Sequence, residues 1–272
     1  MEDCLYQIYT YLSLKQIYRC MRVNQEFYRA SKYPLLWFDF LEKNYKDYYN
    51  DFKRETFYET YKAIGQTKAL VRKLSIREPF YELIKGHHLI LSNLIFRGLP
   101  IEINQLRNLE VFNCSCNRLT NVPSEIGSLS NLTWFDLHYN KLVSIPKEIC
   151  NLNNLQHLDL SDNKLKHLPQ EIGQLTNLKE LDISHNHLIA VPVTLGKLVN
   201  LETLKLDFNQ LKSVPGELSR LNKLRMLYLS DNHLIKIPSE LSKLTNLKKF
   251  YLANNRIKSI PNEVREMTSL CC

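Results

Sequence analysis

Leucines recur along the second part of the chain at one fixed spacing. They stand at residues 109, 132, 155, 178, 201, 224, 247 and 270, so that each lies 23 residues after the one before. When each leucine is counted as position 1 of a repeat, positions 4, 6, 11, 14, 18 and 21 are apolar as well. One repeat cannot bury so many apolar side chains by itself, so neighbouring repeats must stack around a shared core. The period therefore predicts a solenoid.

Position 9 is asparagine in every complete repeat. An amide side chain both donates and accepts hydrogen bonds, so it can satisfy backbone groups where the chain turns away from a strand. We therefore expect a ladder of structural asparagines that runs from repeat to repeat. Its members are Asn117, Asn140, Asn163, Asn186, Asn209, Asn232 and Asn255.

The second half of each repeat carries a Pro-x-Glu-apolar pattern, as in Pro146-Lys147-Glu148-Ile149. Proline suits the first turn of a helix, and a glutamate near it lies at the positive end of the helix dipole. With its leucines and asparagines, this unit of 23 residues resembles the leucine-rich repeat. The resemblance implies an α/β solenoid of horseshoe shape, with a parallel sheet on the concave side and short helices on the convex side.

Upstream of the regular repeats the pattern weakens. Leu91-x-x-Leu94-x-Phe96 stands 18 residues before Leu109 instead of 23, so we expect a repeat that lacks five residues and the asparagine turn. At the other end, Leu270 opens an eighth repeat that is not completed. Terminal units of solenoids are atypical, so the upstream unit is predicted to be an irregular cap. The uncovered apolar end at Leu270 would allow two copies of the chain to dimerise.

The first 65 residues follow helical spacing, with apolar residues at i, i+3, i+4 and i+7. The segment that opens at Leu5 and closes at Leu36-Trp37 resembles the F-box, although the Leu-Pro pair that opens that family's motif is absent. The resemblance implies binding to a Skp-type adaptor and, through it, to a cullin ubiquitin ligase. The alternative is a helical cap that only shields the first repeat. The matching positions, which would contact the adaptor, are Leu5, Ile8, Tyr9, Leu12, Leu14, Ile17, Val23 and Phe27.

These patterns divide the chain into four predicted parts. They are an F-box-like helical module over 1–45, a helical connector over 46–69, irregular capping repeats over 70–108, and seven regular repeats with a truncated eighth over 109–272.

The composition narrows the cellular setting. With 44% hydrophobic and 24% charged residues, the chain is that of a folded soluble protein, and we expect neither a membrane span nor a secretion signal. Seven scattered cysteines, an odd number, favour a reducing compartment, so the predicted location is the cytoplasm. The net charge of +8 is spread along the chain, which favours solubility over nucleic-acid binding. A composition rich in Tyr, Asn, Lys and Ile suggests that the source is a protist or a giant virus. If the source is a virus, the predicted location is the host cytoplasm.

A partner would bind where side chains alternate with the buried leucines. Positions 3, 5 and 7 should point outward from the sheet with positions 8 and 10 beside them, and we call this surface the concave face. It is acidic in its middle and aromatic toward both ends, which favours a partner segment that carries lysine or arginine. The predicted target-binding residues are Trp134, Asp136, His138, Tyr139, His157, Asp159, Asp182, Lys205, Phe208, Tyr228 and Tyr251.

No pattern for catalysis is found in the sequence. It holds no Gly-rich phosphate loop, no nucleophile elbow and no Cys-x-x-Cys pair. Cys114 falls at a buried leucine position, and the other cysteines have no evident base. We therefore expect a protein that is not an enzyme and that needs neither a cofactor nor a metal.

Together the two resemblances predict a substrate-recognition subunit of a cullin-type ubiquitin ligase, which binds its adaptor through the N-terminal helices and its target on the concave face. The alternative is a scaffold without enzymatic activity, because the Ile-Pro-x-Glu-Ile repeats also resemble the Ras-group leucine-rich-repeat proteins. A scaffold of that class would bind a small GTPase or another signalling protein, and the N-terminal helices would act only as a cap.

Overall fold

Each repeat contributes one short strand to a common sheet. The computed structural model describes residues 84–85 and 87–269, and within this part of the chain nine strands pair in sequence order. The three residues of a repeat strand are positions 3 to 5, where the outward, inward and outward alternation buries the middle residue. The strands are β1 (Ile84–Lys85), β2 (His88–Ile90), β3 (Val111–Asn113), β4 (Trp134–Asp136), β5 (His157–Asp159), β6 (Glu180–Asp182), β7 (Thr203–Lys205), β8 (Met226–Tyr228) and β9 (Lys249–Tyr251). The predicted F-box-like module and connector lie outside the described residues, as does Leu270.

The predicted parallel sheet is confirmed from β2 onward. Each of these strands pairs in parallel with the strand of the next repeat, and equivalent positions face one another. At the upstream edge, β1 pairs with β2 in the antiparallel direction, which the repeat pattern did not predict.

The expectation that the upstream repeat lacks five residues is wrong. His88 pairs with Val111 and Leu89 with Phe112, which is the full spacing of 23 residues. Leu91 therefore occupies position 6, not position 1, and is almost fully buried. The misalignment arose because Leu94 stands where the other repeats have asparagine, so the most conspicuous marker of the register is missing.

The core consists of the repeating apolar positions, as predicted. In the repeat that begins at Leu155, the side chains of Leu158, Leu160, Leu165, Ile172 and the other inward residues are buried. Burying one such side chain is worth about 1.5–3 kcal/mol, so stacked repeats supply the energy that a single repeat lacks. At the amino end, Phe112 and Phe135 replace the leucine of position 4, and their rings stack with centroids 5.2 Å apart.

The asparagine ladder is confirmed, and it has a direction. Asn140 Nδ2 donates to the carbonyl oxygens of Cys114, Leu137 and His138 at 3.0–3.2 Å. Its Oδ1 accepts from Leu119 N at 2.9 Å, a residue of the preceding repeat. The same bonds recur up to Asn255. Each asparagine therefore completes the turn of the repeat before it.

This direction accounts for Leu94. Asn117 bonds to the first described repeat. Its Oδ1 accepts from Leu94 N and Phe96 N, and its Nδ2 donates to Leu91 O. Among the described strands, the one upstream of β2 is antiparallel, so no parallel repeat before it needs an amide at position 9. An apolar residue can stand there without leaving a turn incomplete.

The short helices expected in the second half of each repeat are 3-10 helices. Each begins directly after its proline, whose extended ψ of 133–154° places it at the N-cap and not in the first turn as predicted. The proline carbonyl accepts the first helical bond, as from Ile126 N to Pro123 O at 3.2 Å. The 3-10 helices are Ile101–Gln105, Ser124–Ser128, Lys147–Asn151, Gln170–Gln174, Val193–Lys197, Gly216–Arg220 and Ser239–Lys243.

A single turn of α-helix, α1 (Asn262–Arg265), takes the corresponding place after β9. Within 84–85 and 87–269, none of the helices has the length and apolar character that crossing a membrane requires.

Candidate protein-binding face

The concave face is built from the outward positions of strands β3 to β9 and the residues that follow them. Because the strands are parallel and in register, position 3 forms one row of side chains across the sheet and position 5 forms another. Large apolar side chains in and beside these rows stay open to solvent, notably Trp134 at 44% and Tyr139 at 64% exposure. The predicted target-binding residues thus lie on one surface, and their role in binding stays a prediction.

Asp136, Asp159 and Asp182 are direct neighbours in the row of position 5 and form an acidic row. Each carboxylate accepts from the backbone N–H two residues later, as in the 2.9 Å bond from Ser161 N to Asp159 Oδ1. Ser161 Oγ and Ser184 Oγ donate to the same oxygens at 2.6 Å. Local bonds hold the carboxylates in place, so the acidic row is a fixed feature of the face.

Each end of the acidic row has a donor side chain from a neighbouring repeat, whereas the middle carboxylate accepts from Ser161 of its own repeat. Lys205 Nζ lies 3.0 Å from an oxygen of Asp182 and 3.0 Å from Glu180, and Asn113 Nδ2 donates to Asp136 Oδ2 at 3.1 Å. For Asp159, no ion pair is found with any residue in the described part of the chain.

The pKa values of these groups follow from the arrangement. Burial raises the pKa of Asp159, the bonds from Ser161 oppose the rise, and the charges of Asp182 and Asp136 add to it. Burial works to lower the pKa of Lys205, but the bonds and charges of Asp182 and Glu180 outweigh it and hold the pKa above its usual range. The middle of the acidic row is therefore a carboxylate that a further positive charge would stabilise.

The aromatic residues form stacked pairs between neighbouring repeats. The ring of Trp134 stacks on His157 with centroids 4.5 Å apart, and Tyr228 stacks on Tyr251 at 4.6 Å. Phe208 stacks on His185 at 4.2 Å. These contacts account for part of the aromatic surface by packing between repeats. The outer edges stay exposed and remain available to a partner.

His157 is held between an aromatic and an acidic neighbour. Its Nδ1 is shielded from solvent and makes no hydrogen bond with any residue between 87 and 269, and Glu180 Oε2 lies 3.5 Å away. The ring is thus positioned by its stack on Trp134, and the unbonded Nδ1 is a cost to the fold.

Asp136, His138 and Asp159 bring three potential ligand atoms within 4.8 Å of one another. Their hydrogen bonds account for this clustering without an ion, since His138 Nδ1 lies 2.9 Å from Asp136 Oδ1 and Asp159 Oδ1 accepts from Ser161. We therefore assign no metal to this cluster.

The expectation that the cysteines other than Cys114 have no evident base is wrong for Cys116. Its Sγ lies 3.6 Å from Nε2 of His138, the residue at position 7 of the next repeat. Position 7 is serine in most repeats, and this histidine was the sequence signal that could have pointed to the pair.

A second surface lies at the amino-terminal ends of the strands, away from the concave face. It is a polar groove of about 540 Å³, lined by alternating residues of positions 2 and 23. Asparagines at position 23 form a second ladder there, which the sequence reasoning missed although the residue recurs in nearly every repeat. The donors to carbonyls of the preceding repeat, at 2.6–2.9 Å, are Asn154, Asn177, Asn200 and Asn246. Because these side chains are exposed, the ladder contributes less to stability than the buried one.

Comparison with known families agrees with the repeat geometry. A family model described as "Leucine-rich repeat region" matches residues 125–230, and models described as "Leucine Rich Repeat" and "Leucine Rich repeats (2 copies)" match 108–129 and 222–265. No curated protein sequence matches the chain.

Solved structures share the solenoid. A leucine-rich-repeat protein of Leptospira interrogans is 43% identical with a TM-score of 0.65, over 67% of this chain and 46% of that one. TLR13, in its complex with ssRNA13, is 30% identical with a TM-score of 0.60, over 68% and 27%. The ectodomain of the Arabidopsis thaliana receptor kinase GASSHO1/SCHENGEN3, in complex with CASPARIAN STRIP INTEGRITY FACTOR 2, is 29% identical with a TM-score of 0.52, over 67% and 26%. The chain spans less than half the length of each of these proteins.

Proposed function

Residues 108–265 are leucine-rich repeats, a fold suited to protein–protein interaction, and from that premise we propose that the chain is the substrate-recognition subunit of a cullin-type ubiquitin ligase. The concave face holds a protein target, and the N-terminal helices hold a Skp-type adaptor. The chain performs no catalysis. It raises the effective concentration of target lysines near the ubiquitin-loaded enzyme.

The observation that carries target binding is the middle of the acidic row. Asp159 lies between two other carboxylates, and exposed Trp134 stands in the row beside it. A lysine or arginine of the target would neutralise the carboxylates and could lie against the indole ring, a cation–π contact worth about 0.5–2 kcal/mol. The phosphates of a nucleic acid would be repelled by the same row, which supports a protein target.

The adaptor half of the proposal is supported by the sequence. The F-box-like spacing from Leu5 to Leu36-Trp37 lies outside the described residues. The cytoplasmic location and the protist or giant-virus source are part of the same proposal and are supported by composition alone. Dimerisation through the carboxyl end stays a prediction.

The first experiment tests adaptor binding. Purified full-length protein and its Leu12→Asp/Ile17→Asp double variant are used to pull down a Skp-type adaptor. We expect the unsubstituted protein to bind and the double variant to lose binding while its repeats stay folded by circular dichroism. If neither protein binds, the helices are a cap and the Ras-group scaffold is the better description.

A second experiment separates target binding from adaptor binding. Cells that express the protein, its Asp159→Lys variant or a Glu263→Lys control are compared for proteins bound and ubiquitinated. Glu263 is an exposed residue of α1, and its substitution makes the same change of charge away from the concave face. We expect Asp159→Lys to lose targets while keeping the adaptor. Equal loss in both variants would contradict a concave-face site.

A further inference from the structure

His138 takes the place of a serine in the pattern of the repeats. In the two repeats that follow, the serine at position 7 donates through Oγ to the carboxylate at position 5, from Ser161 to Asp159 and from Ser184 to Asp182 at 2.6 Å. His138 makes the equivalent bond through its ring, with Nδ1 2.9 Å from Asp136 Oδ1. An ionised carboxylate can only accept, so Nδ1 carries the ring proton. The histidine thus keeps the structural bond and gains a second ring nitrogen.

That second nitrogen faces a thiol. With the proton on Nδ1, Nε2 of neutral His138 is an acceptor, and Cys116 Sγ lies 3.6 Å from it. The order of groups is thiol, imidazole, carboxylate, in which the carboxylate fixes the tautomer and stabilises the imidazolium formed when the thiol gives up its proton. Cys116 is half-buried, the His138 side chain is 37% exposed and that of Asp136 is 13% exposed, so the carboxylate is the more sheltered of the two charged partners and the thiol is partly accessible.

The other thiols in the described part of the chain are built differently. Cys114 is fully buried at a leucine position, and burial together with the charge of Asp136 raises its pKa well above the usual value. Burial, with Glu171 and Glu148 nearby, raises the pKa of Cys150 to about 12. Both are inert thiols within the same protein, and they provide internal controls.

We propose that Cys116, His138 and Asp136 form a base-activated thiol on the concave face, a modification site that reacts with small hydroperoxides. His138 Nε2 takes the thiol proton, and the thiolate attacks the distal peroxide oxygen. A sulfur–oxygen bond forms as the oxygen–oxygen bond breaks, so the sulfur is oxidised by two electrons to the sulfenic acid and the peroxide is reduced. The imidazolium returns the proton to the departing alkoxide or hydroxide.

The hydroperoxide is the electrophile that best fits this arrangement. Its reaction releases an oxyanion, and the imidazolium beside the sulfur holds the proton which that leaving group needs. The site is independent of the proposed ligase function, because it needs neither an adaptor nor a target.

The test compares His138→Ser with the unsubstituted protein. Serine is the usual residue at position 7, so the variant keeps a donor for Asp136 and removes the imidazole ring with its Nε2. His233→Ser, at position 10 of a distant repeat, is the matched control. Full-length proteins are treated with hydrogen peroxide and dimedone over a range of pH, with a chelator present. Fragment mass spectra then give the dimedone label at each cysteine separately, including Cys114 next to Cys116 and those in the remainder of the chain.

We expect Cys116 to be labelled about tenfold faster at neutral pH in the unsubstituted protein and the His233→Ser control than in His138→Ser. Cys114 and Cys150 should stay unlabelled while the protein is folded. Equal rates and equal pH profiles for Cys116 in all three proteins would overturn the proposal, as would a Cys116 that stays unlabelled.

Discussion

The asparagine ladder allows one prediction to be worked out from individual bonds. Asn163 Oδ1 accepts from Leu142 N at 2.9 Å, and its Nδ2 donates to the carbonyl oxygens of Leu137, Leu160 and Ser161 at 3.0–3.1 Å. The side chain is 6% exposed, so water has little access to these groups. In an Asn163→Ala variant all four bonds are lost.

The cost depends on which backbone groups keep another partner. The three carbonyls do, because each still accepts from a neighbouring repeat or its own: Asn140 Nδ2 for Leu137 O, Asn186 Nδ2 for Leu160 O and Tyr139 N for Ser161 O. Leu142 N has no other acceptor among the described residues and becomes an unsatisfied buried donor. That orphan costs about 1–3 kcal/mol, and with the lost carbonyl bonds we expect a loss of about 2–4 kcal/mol in the free energy of unfolding.

The assay is urea denaturation followed by circular dichroism, with Asn255→Ala as the control. Asn255 makes the same set of bonds, including 3.0 Å from Leu234 N, but it is partly exposed after the last described strand. Water can replace its bonds, so its loss should cost less than half as much. A free energy for Asn163→Ala that falls by less than 1 kcal/mol, where about 2–4 is expected, or equal losses in both variants, would refute this account of the ladder.

Three further changes test the packing and the charges of the repeats. A Cβ added at Gly173 would lie 2.4 Å from Thr194 O, so Gly173→Ala should lower the free energy of unfolding by about 1–3 kcal/mol. Ser219→Ala, at the same position of another repeat, is the control and should be nearly neutral. Equal urea midpoints for the two variants would contradict this account of the packing. Because the folded-state pKa of Asp159 is raised, its carboxylate penalises the fold above that pKa, and the penalty fades as pH falls toward the ordinary value of 3.8. Asp159→Asn should therefore be the more stable protein at neutral pH, with the advantage shrinking in acid, and thermal melts that show no advantage would count against the acidic row. Asn154→Ala in the exposed second ladder should cost at most about 0.5–1 kcal/mol, and a larger loss in urea would show that the groove is more than a solvated edge.

The period of the leucines was enough to predict the solenoid, its parallel sheet and its core. Every predicted apolar position of the repeat that begins at Leu155 is buried, and the amides at position 9 bond as expected. The prediction succeeded because each repeat packs against almost identical neighbours, so one sequence pattern determines the environment of every repeat. At Leu94 the asparagine of position 9 is missing, and the register predicted for that repeat was wrong.

The remaining features depend on contacts between unlike residues of different repeats. Cys116 and His138 are 22 residues apart, and neither belongs to the consensus of its position. The antiparallel strand β1 lies outside the period altogether. In the same way, the stack of Trp134 on His157 can be predicted only when the register of the strands is known. A consensus describes what repeats share, so pairs of exceptions become visible only in three dimensions.

The direction of the asparagine ladder makes the two ends of the protein unequal. Because Leu119 N is satisfied by an amide 21 residues later in the chain, a repeat is completed only when its successor has been added. Deleting repeats from the carboxyl end should leave the backbone N–H of the new last turn without its asparagine acceptor. Deleting repeats from the amino end removes that N–H together with the turn, so no donor loses its partner. During synthesis on the ribosome, we therefore expect the turn of each repeat to be completed only after the next repeat has emerged.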